Sequence, residues 1–381
     1  MKVISTLFLL FISLANCFAQ SSPAKLMLYS ITEQNGLSDN RVTCFFQDSR
    51  GFMWIGTQDG LNLFDGSIVK RFKNKKNDTT SIASNYIRAI AEDSTHQLWF
   101  ATLNGLCKFD PIKKTFSTYQ ASSPYGNPNM MWDLKLEGEN IWLACGVGLI
   151  RFSMRTKKFD GFLNQVHEGR SRIIDNRVTQ VLIDRKKRFW VSTHNGLWRF
   201  YPEEKKYINV SNYAEPTEII TMIEDHSGKI WMGLWGKGIQ VFDPDKNTIK
   251  QIKGDISTIV AGLAESKNEK GNYLIWSSGL VAIDQNENLK KYTALNVEHE
   301  GIFGQSVFYF SADGLLWVAT PLGVRILDPN RQSFSHYFPT PNEITNQSIA
   351  LFEKKNLIYV GGHGKEFLKL YDSAFSLKKD F

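Results

Sequence analysis

Short apolar runs alternate with polar, glycine-bearing turns along the chain, and the pattern is plainest over Arg41–Gly66, RVTCFFQDSRGFMWIGTQDGLNLFDG. Val42–Phe46 is apolar and is followed by Asp48-Ser49-Arg50-Gly51. A second run, Phe52–Thr57, carries Trp54. After Gln58-Asp59-Gly60 a third run covers Leu61–Phe64, and a fourth occupies Ile68–Phe72. Runs this short, rich in aromatic and β-branched residues and cut by Gly, Asp and Ser, predict a meander of four antiparallel strands.

The unit recurs. Trp54, Trp99, Trp142, Trp190, Trp231, Trp276, Trp317 and Tyr359 are spaced by 45, 43, 48, 41, 45, 41 and 42 residues, each with a Gly-Leu, Gly-Ile or Gly-Val or a degenerate equivalent behind it. A period in the forties with four strands per period predicts an all-β β-propeller of four-stranded antiparallel blades. One blade is too small to be stable alone, and stacking covers both of its faces, so its strands read as apolar runs rather than clean alternation. Leu26–Ile31 precedes the first repeat and matches the fourth strands of later repeats, which marks it as the ring-closing strand. Eight repeats are counted. Seven blades closed by Leu26–Ile31 is the favoured reading, with residues 20–331 as the propeller and 332–381 as an eighth repeat that starts a second ring. Eight closed blades is the alternative.

Composition changes this picture little. Apolar residues at 42% and aromatics at 13% fit a packed β protein. The net charge of +7 is scattered, and Arg185-Lys186-Lys187-Arg188 falls in a strand-joining turn, where a solvated turn explains it better than a nucleic-acid surface. Met1–Gln20 reads as a secretory signal: Lys2, an apolar stretch over Val3–Ala15, then Cys17-Phe18-Ala19, with cleavage expected after Ala19. The expectation is export to the periplasm, with lipidation through Cys17 the less favoured route. No later stretch approaches the length of a membrane-spanning helix. Cys44, Cys107 and Cys145 each fall in a strand of a different repeat and read as core thiols.

The candidate chemistry is sparse. The acidic turn before the anchors, D-x-x-G at Asp48–Gly51 and Asp225–Gly228, is similar to the Asp-box of sialidase propellers. It recurs in too many blades to be one active site, and an Asp that caps the turn with a Gly at positive φ explains it. Asn40, Asn85, Asn176 and Asn346 at blade entries read as loop-turning residues. No catalytic constellation, no metal-ligand spacing and no cofactor motif emerges. Connections between the fourth strand and the next blade are long (Lys73–Tyr86, Gln120–Met131, Asn164–Arg177, Tyr292–Gln305) and emerge on the same face as the turns between second and third strands. Loops on a rigid scaffold are the usual place for a binding site.

GLSDNRVTCFFQDSRGFMWIGTQDGLNLFDG resembles the two-component regulator propeller repeat, and the resemblance extends over Leu26–Tyr371. It implies the periplasmic sensor part of a hybrid two-component system, many of which detect oligosaccharides. It also implies a signalling kinase partner or a homodimer. A more distant likeness is to a lyase-type propeller acting on a cyclic peptide antibiotic. A non-catalytic ligand-binding module is therefore the preferred reading, and an exported lyase or hydrolase acting on glycans is the alternative. Residues that differ between blades are the better ligand candidates. Trp132, His194, Trp235 and Lys237 are expected around the channel mouth, with Arg41, Arg88 and Arg177, which either meet an acidic ligand there or simply pair with neighbours. The competing reading has Trp132 and Trp235 filling gaps between blades.

Overall fold

The computed structural model describes residues 27–124, 126–162, 177–210, 217–254, 259–265, 273–276, 280–284, 286, 289–292, 308–327, 350–354, 357–361, 368–372 and 377–380. The expected export signal, Cys17, Asn176, Asn346 and most of the connections at 164–177 and 292–305 lie outside the described residues.

The chain is all β, built from four-stranded antiparallel blades in which consecutive strands are neighbours. The first repeat folds as Val42–Gln47, Met53–Thr57, Gly60–Phe64 and Val69–Phe72. Inner strands of the later repeats are Ile87–Glu92, Met131–Glu137, Val178–Ile183, Ile219–Glu224, Gly262–Glu265 and Phe308–Phe310. Each contacts the inner strand of the repeat before it, and Phe308–Phe310 also contacts Val42–Gln47. One sheet departs from sequence order. Met27–Ile31 pairs antiparallel with Gly323–Leu327, Ile31 opposite Val324, and so completes the sheet of the seventh repeat rather than that of the eighth. That pairing covers an edge which would otherwise expose unpaired N–H and C=O groups. The chain divides into two compact units, Met1–Arg331 and Gln332–Phe381. The second holds its own four-stranded sheet, Ala350–Lys354, Leu357–Gly361, Leu368–Asp372 and Leu377–Asp380.

The tryptophan anchors join blade to blade. Trp54 lies with its ring centroid 5.5 Å from Phe100 and 5.2 Å from Phe109 of the second repeat. Trp99 meets Phe152 at 5.7 Å, Trp142 meets Phe189 at 4.8 Å, and Trp190 meets Phe242 at 5.3 Å. Trp317 meets Phe45 and Phe64 of the first repeat at 6.1 and 5.9 Å. Edge-to-face contacts of this kind add to the large apolar area that each indole buries. The second strand must also lie close to the next blade. A Cβ on Gly233, two residues beyond Trp231, would sit 2.7 Å from Thr221 Cγ2 and from the Val260 carbonyl.

In the first five repeats the turn between first and second strands satisfies the indole of its own anchor. Asp48 Oδ2 accepts the Trp54 indole N–H at 3.0 Å while Oδ1 accepts the Arg50 and Phe52 amides. Asp93, Asp184 and Asp225 hold Trp99, Trp190 and Trp231 in the same way at 2.8, 3.0 and 2.9 Å. In the third repeat Glu137 substitutes, reaching Trp142 at 2.9 Å. Burial pushes the Asp184 carboxyl up, but the Trp190 indole, the Arg188 amide and the Arg188 side chain together hold it below its ordinary value. A side chain at the end of four of the inner strands then ties back to the preceding blade. Glu92 accepts the Ser49 amide, Glu224 that of Arg185, Glu265 that of His226, and Gln47 that of Ala312. The basic turn is solvated at Arg185, Lys186 and Lys187, as its composition predicts, and only Arg188 turns inward. Arg188 pairs with Asp184 and Asp245 with its side chain only 14% exposed, because it must reach the buried turn aspartate.

Candidate functional site

Antiparallel pairing puts the start of every inner strand and the turn between second and third strands at one end of the blade. Backbone bonds fix the two together. Gln58 N–H donates to Arg41 C=O at 3.0 Å, Leu103 to Tyr86 at 3.3 Å and Trp235 to Glu218 at 2.9 Å. The residues one place before the inner strands are Arg41, Tyr86, Met130, Arg177 and Glu218. Asn side chains two places before them close the entry loops. Asn85 accepts from the Asn74 amide at 2.7 Å, and Asn129 accepts from and donates to Ala121 at 2.8 and 3.0 Å. Asn129 therefore keeps the entry role of Asn85 and is not a departure from it.

Each of the first five inner strands carries a β-bulge at its second residue, so that Thr43, Arg88, Trp132, Thr179 and Ile220 stand unpaired in register. A bulge frees a residue from the ladder and re-aims its side chain. Threonine at this position serves the ring. Thr43 Oγ1 donates to Ile87 C=O at 2.5 Å, and Thr179 Oγ1 to Ile219 C=O at 3.4 Å. The second and third repeats do otherwise. Arg88, 7% exposed, lies with its guanidinium carbon 4.6 Å from the centroid of the Trp132 ring, and Arg177 also stands 4.6 Å from it. Arg88 is further placed 5.6 Å from the Tyr86 ring and makes a long contact to its hydroxyl at 3.5 Å. Arg88 Nε and Trp132 Nε1 are buried without a hydrogen-bond partner. Burial holds the Arg88 guanidinium below its ordinary value. Asp133, next in the chain, is buried and pushed up by that burial, and its oxygens are engaged by the Leu134 and Val181 amides and by Lys135.

A second group adjoins the first. Glu218 Oε2 lies 3.2 Å from His194 Nδ1, and the His194 hydrogen bond holds the Glu218 carboxyl below its ordinary value, with the Arg177 charge adding to this. Trp235, tied to Glu218 through its amide, is 44% exposed, and Lys237 Nζ donates to Thr217 Oγ1 at 2.7 Å. Trp235 is thus exposed, on a turn whose Gly236 stands at φ 81°. Trp132 packs against two cations, Arg88 and Arg177. Arg41 is exposed and already paired with Asp39, Nη2 to Oδ2 at 2.6 Å. Six of the seven residues singled out from sequence are therefore gathered across the second to fifth repeats. Arg41 stands apart in its own ion pair. Glu218 and Tyr86 were missed. Their signal is positional: they occupy in their repeats the place that Arg41 and Arg177 occupy in theirs.

Below this end, a cavity of about 320 Å³ lies between the inner strands, lined by Lys135, Gln180, Thr221, Glu224, Leu263 and Phe308 among others. Burial pushes the Glu224 carboxyl up. Among the described residues no group of three His, Cys, Asp or Glu side chains gathers as a metal site, and no helix is long and apolar enough to cross a membrane.

Blades of four antiparallel strands stacked through their tryptophans define a β-propeller. Within it, residues 36–59 and 81–104 match the family model of the two-component regulator propeller. A histidine kinase, P4, of Formosa agariphila is 46% identical over 54 residues, which is 14% of this chain and 4% of that protein. Among solved structures, an extracellular domain assigned to a hybrid two-component system of B. thetaiotaomicron superposes with a TM-score of 0.65 at 17% identity, over 93% of this chain and 49% of that one. A second extracellular domain from B. thetaiotaomicron, assigned to a one-component system, gives 0.62 at 20%, over 91% and 46%. A streptogramin B lyase gives 0.61 at 13%, over 80% and 99%. At these identities the likeness is one of fold. The chain spans about half the length of the two extracellular domains.

Proposed function

We propose that this chain is a non-catalytic ligand-binding propeller of an exported, periplasmic sensor, and that its ligand is an oligosaccharide. The observation that carries the reading is Trp235, an exposed tryptophan whose amide is bonded to Glu218, the acid that His194 engages, on the same turn as Lys237. A sugar ring offers an apolar C–H face to such an indole and hydroxyls to the groups around it. The two-component regulator propeller repeats at 36–59 and 81–104 support a sensor role, with output through a kinase partner or through a homodimer. In this reading residues 1–19 are the export signal. The sheets of residues 27–327 form one seven-bladed ring closed by Met27–Ile31, and the eighth sheet begins a second ring.

Incubation of the purified chain with a panel of neutral and acidic oligosaccharides tests this. A thermal shift without product release is the expected result. New reducing or unsaturated ends would overturn it and assign the chain to the glycan lyases or hydrolases.

A further inference from the structure

Arg88 has no structural reason to be an arginine. It occupies the bulge position at which Thr43 and Thr179 bond the next blade, so it forgoes that bond and buries a cation instead. A buried guanidinium without a carboxylate is costly, and a fold normally supplies the partner. Here it does not. Among the described residues no ion pair reaches Arg88. Its Nε has no hydrogen-bond partner, and its Nη1 makes only a long contact to the Tyr86 hydroxyl at 3.5 Å among the described residues. Asp133, the nearby acid, has its oxygens turned to the Leu134 and Val181 amides and to Lys135. Glu218, which faces Arg177, is taken up by His194. The indole N–H of Trp132, between these groups, is a further buried donor without an acceptor. Two guanidiniums and an indole N–H are all donors, and together they lack one thing, an anion.

We propose that Arg88, Trp132 and Arg177 form an anion subsite that takes the carboxylate or sulfate group of an acidic saccharide. The subsite rests on the oligosaccharide reading and narrows it. The guanidinium fork matches the geometry of both oxyanions and can bond either one with two parallel N–H donors. The Trp132 ring, lying against both cations, holds their planes in place before the ligand arrives and so lowers the cost of ordering them. Tyr86 lies beside Arg88 as a hydroxyl able to bond the same group or the sugar next to it. Glu218, His194, Trp235 and Lys237 would then meet the neighbouring, neutral ring.

The test is isothermal titration of the full chain with uronate-containing oligosaccharides, sulfated oligosaccharides, the neutral counterpart of each, and free sulfate. It is carried out on wild type, Arg88→Met and Arg177→Gln, with melting temperatures measured in parallel. Acidic ligands are expected to bind at least about tenfold more tightly than neutral ones, with an advantage that shrinks as salt is raised. Either substitution should erase that advantage. Arg88→Met should melt at or above wild type, because an uncompensated buried charge is removed. Whether the uronate or the sulfated series binds better identifies the oxyanion. Neutral ligands binding as tightly as acidic ones would overturn the subsite while leaving the saccharide reading in place. An acidic preference unchanged in both variants would also overturn it. Arg88-dependent binding of free sulfate without binding of any saccharide would keep the anion subsite and overturn the saccharide reading.

Discussion

The two ends of the same blades are built on opposite terms. At the end that carries the Asp turns, one arrangement repeats: an Asp or Glu accepts the indole N–H of the anchor, and the end of the next inner strand accepts the amide that follows the Asp. Nearly every polar group there is answered. At the entry end the equivalent positions hold Thr43, Arg88, Trp132, Thr179 and Ile220, no two neighbours alike, and two of them leave buried donors unanswered. A fold gains from repetition because each blade must solve the same packing problem. A ligand asymmetric about the ring axis gains from its absence. The contrast separates residues that hold the ring from residues free to recognise something.

The largest test of that contrast is at the first end. Trp190, 1% exposed and packed on Phe242, should cost about 3–5 kcal/mol when replaced by Ala, read from urea unfolding. An unchanged midpoint would show that the anchor does not hold the ring.

Asp184→Ala comes next, at about 1–3 kcal/mol, since it strands the buried Trp190 indole N–H and the amides that share the carboxylate. The pH dependence has a definite sign. The folded carboxyl titrates below its ordinary value of 3.8, so its contribution is complete above that value and is lost as pH falls through the folded pKa. Wild type and Asp184→Ala should therefore converge in stability below pH 3.8. A gap that widens on acidification would contradict this.

The seventh repeat offers the reverse experiment. There Ser311 stands six residues before Trp317, where the first, second, fourth and fifth repeats have Asp, and the Trp317 indole N–H is buried without a partner. Ser311→Asp should gain about 1 kcal/mol, measured by the same unfolding curves. A loss would show that this turn cannot adopt the geometry of its neighbours.

The smallest stability effect belongs to the second end. Trp235→Ala should change stability by no more than about 0.5 kcal/mol, as exposed positions do, and should nevertheless abolish the thermal shift given by a bound oligosaccharide. Retained binding would remove Trp235 from the site. A collapse in stability would return it to the core.

Much of this molecule was legible in its sequence. The spacing of the anchors, the D-x-x-G turns and the likeness of Leu26–Ile31 to later fourth strands predict four-stranded blades and the pairing of Met27–Ile31 with Gly323–Leu327. They do so because hydrophobic period and turn chemistry are local and repeat with each blade. The three buried thiols, Cys44, Cys107 and Cys145, were legible for the same reason, and burial pushes them up to about 12, about 11 and about 12. What the sequence did not carry is which residues meet across blades. Arg88, Trp132 and Arg177 lie some forty-five residues apart by the blade period, and their stacking depends on bulges that no local pattern announces. Glu218 drew no notice because a lone acid in a loop has no signature. Only the ring places it between His194, Arg177 and Trp235. Propensity and period act along the chain, whereas electrostatic partnership acts through space, and closure of the propeller converts one into the other.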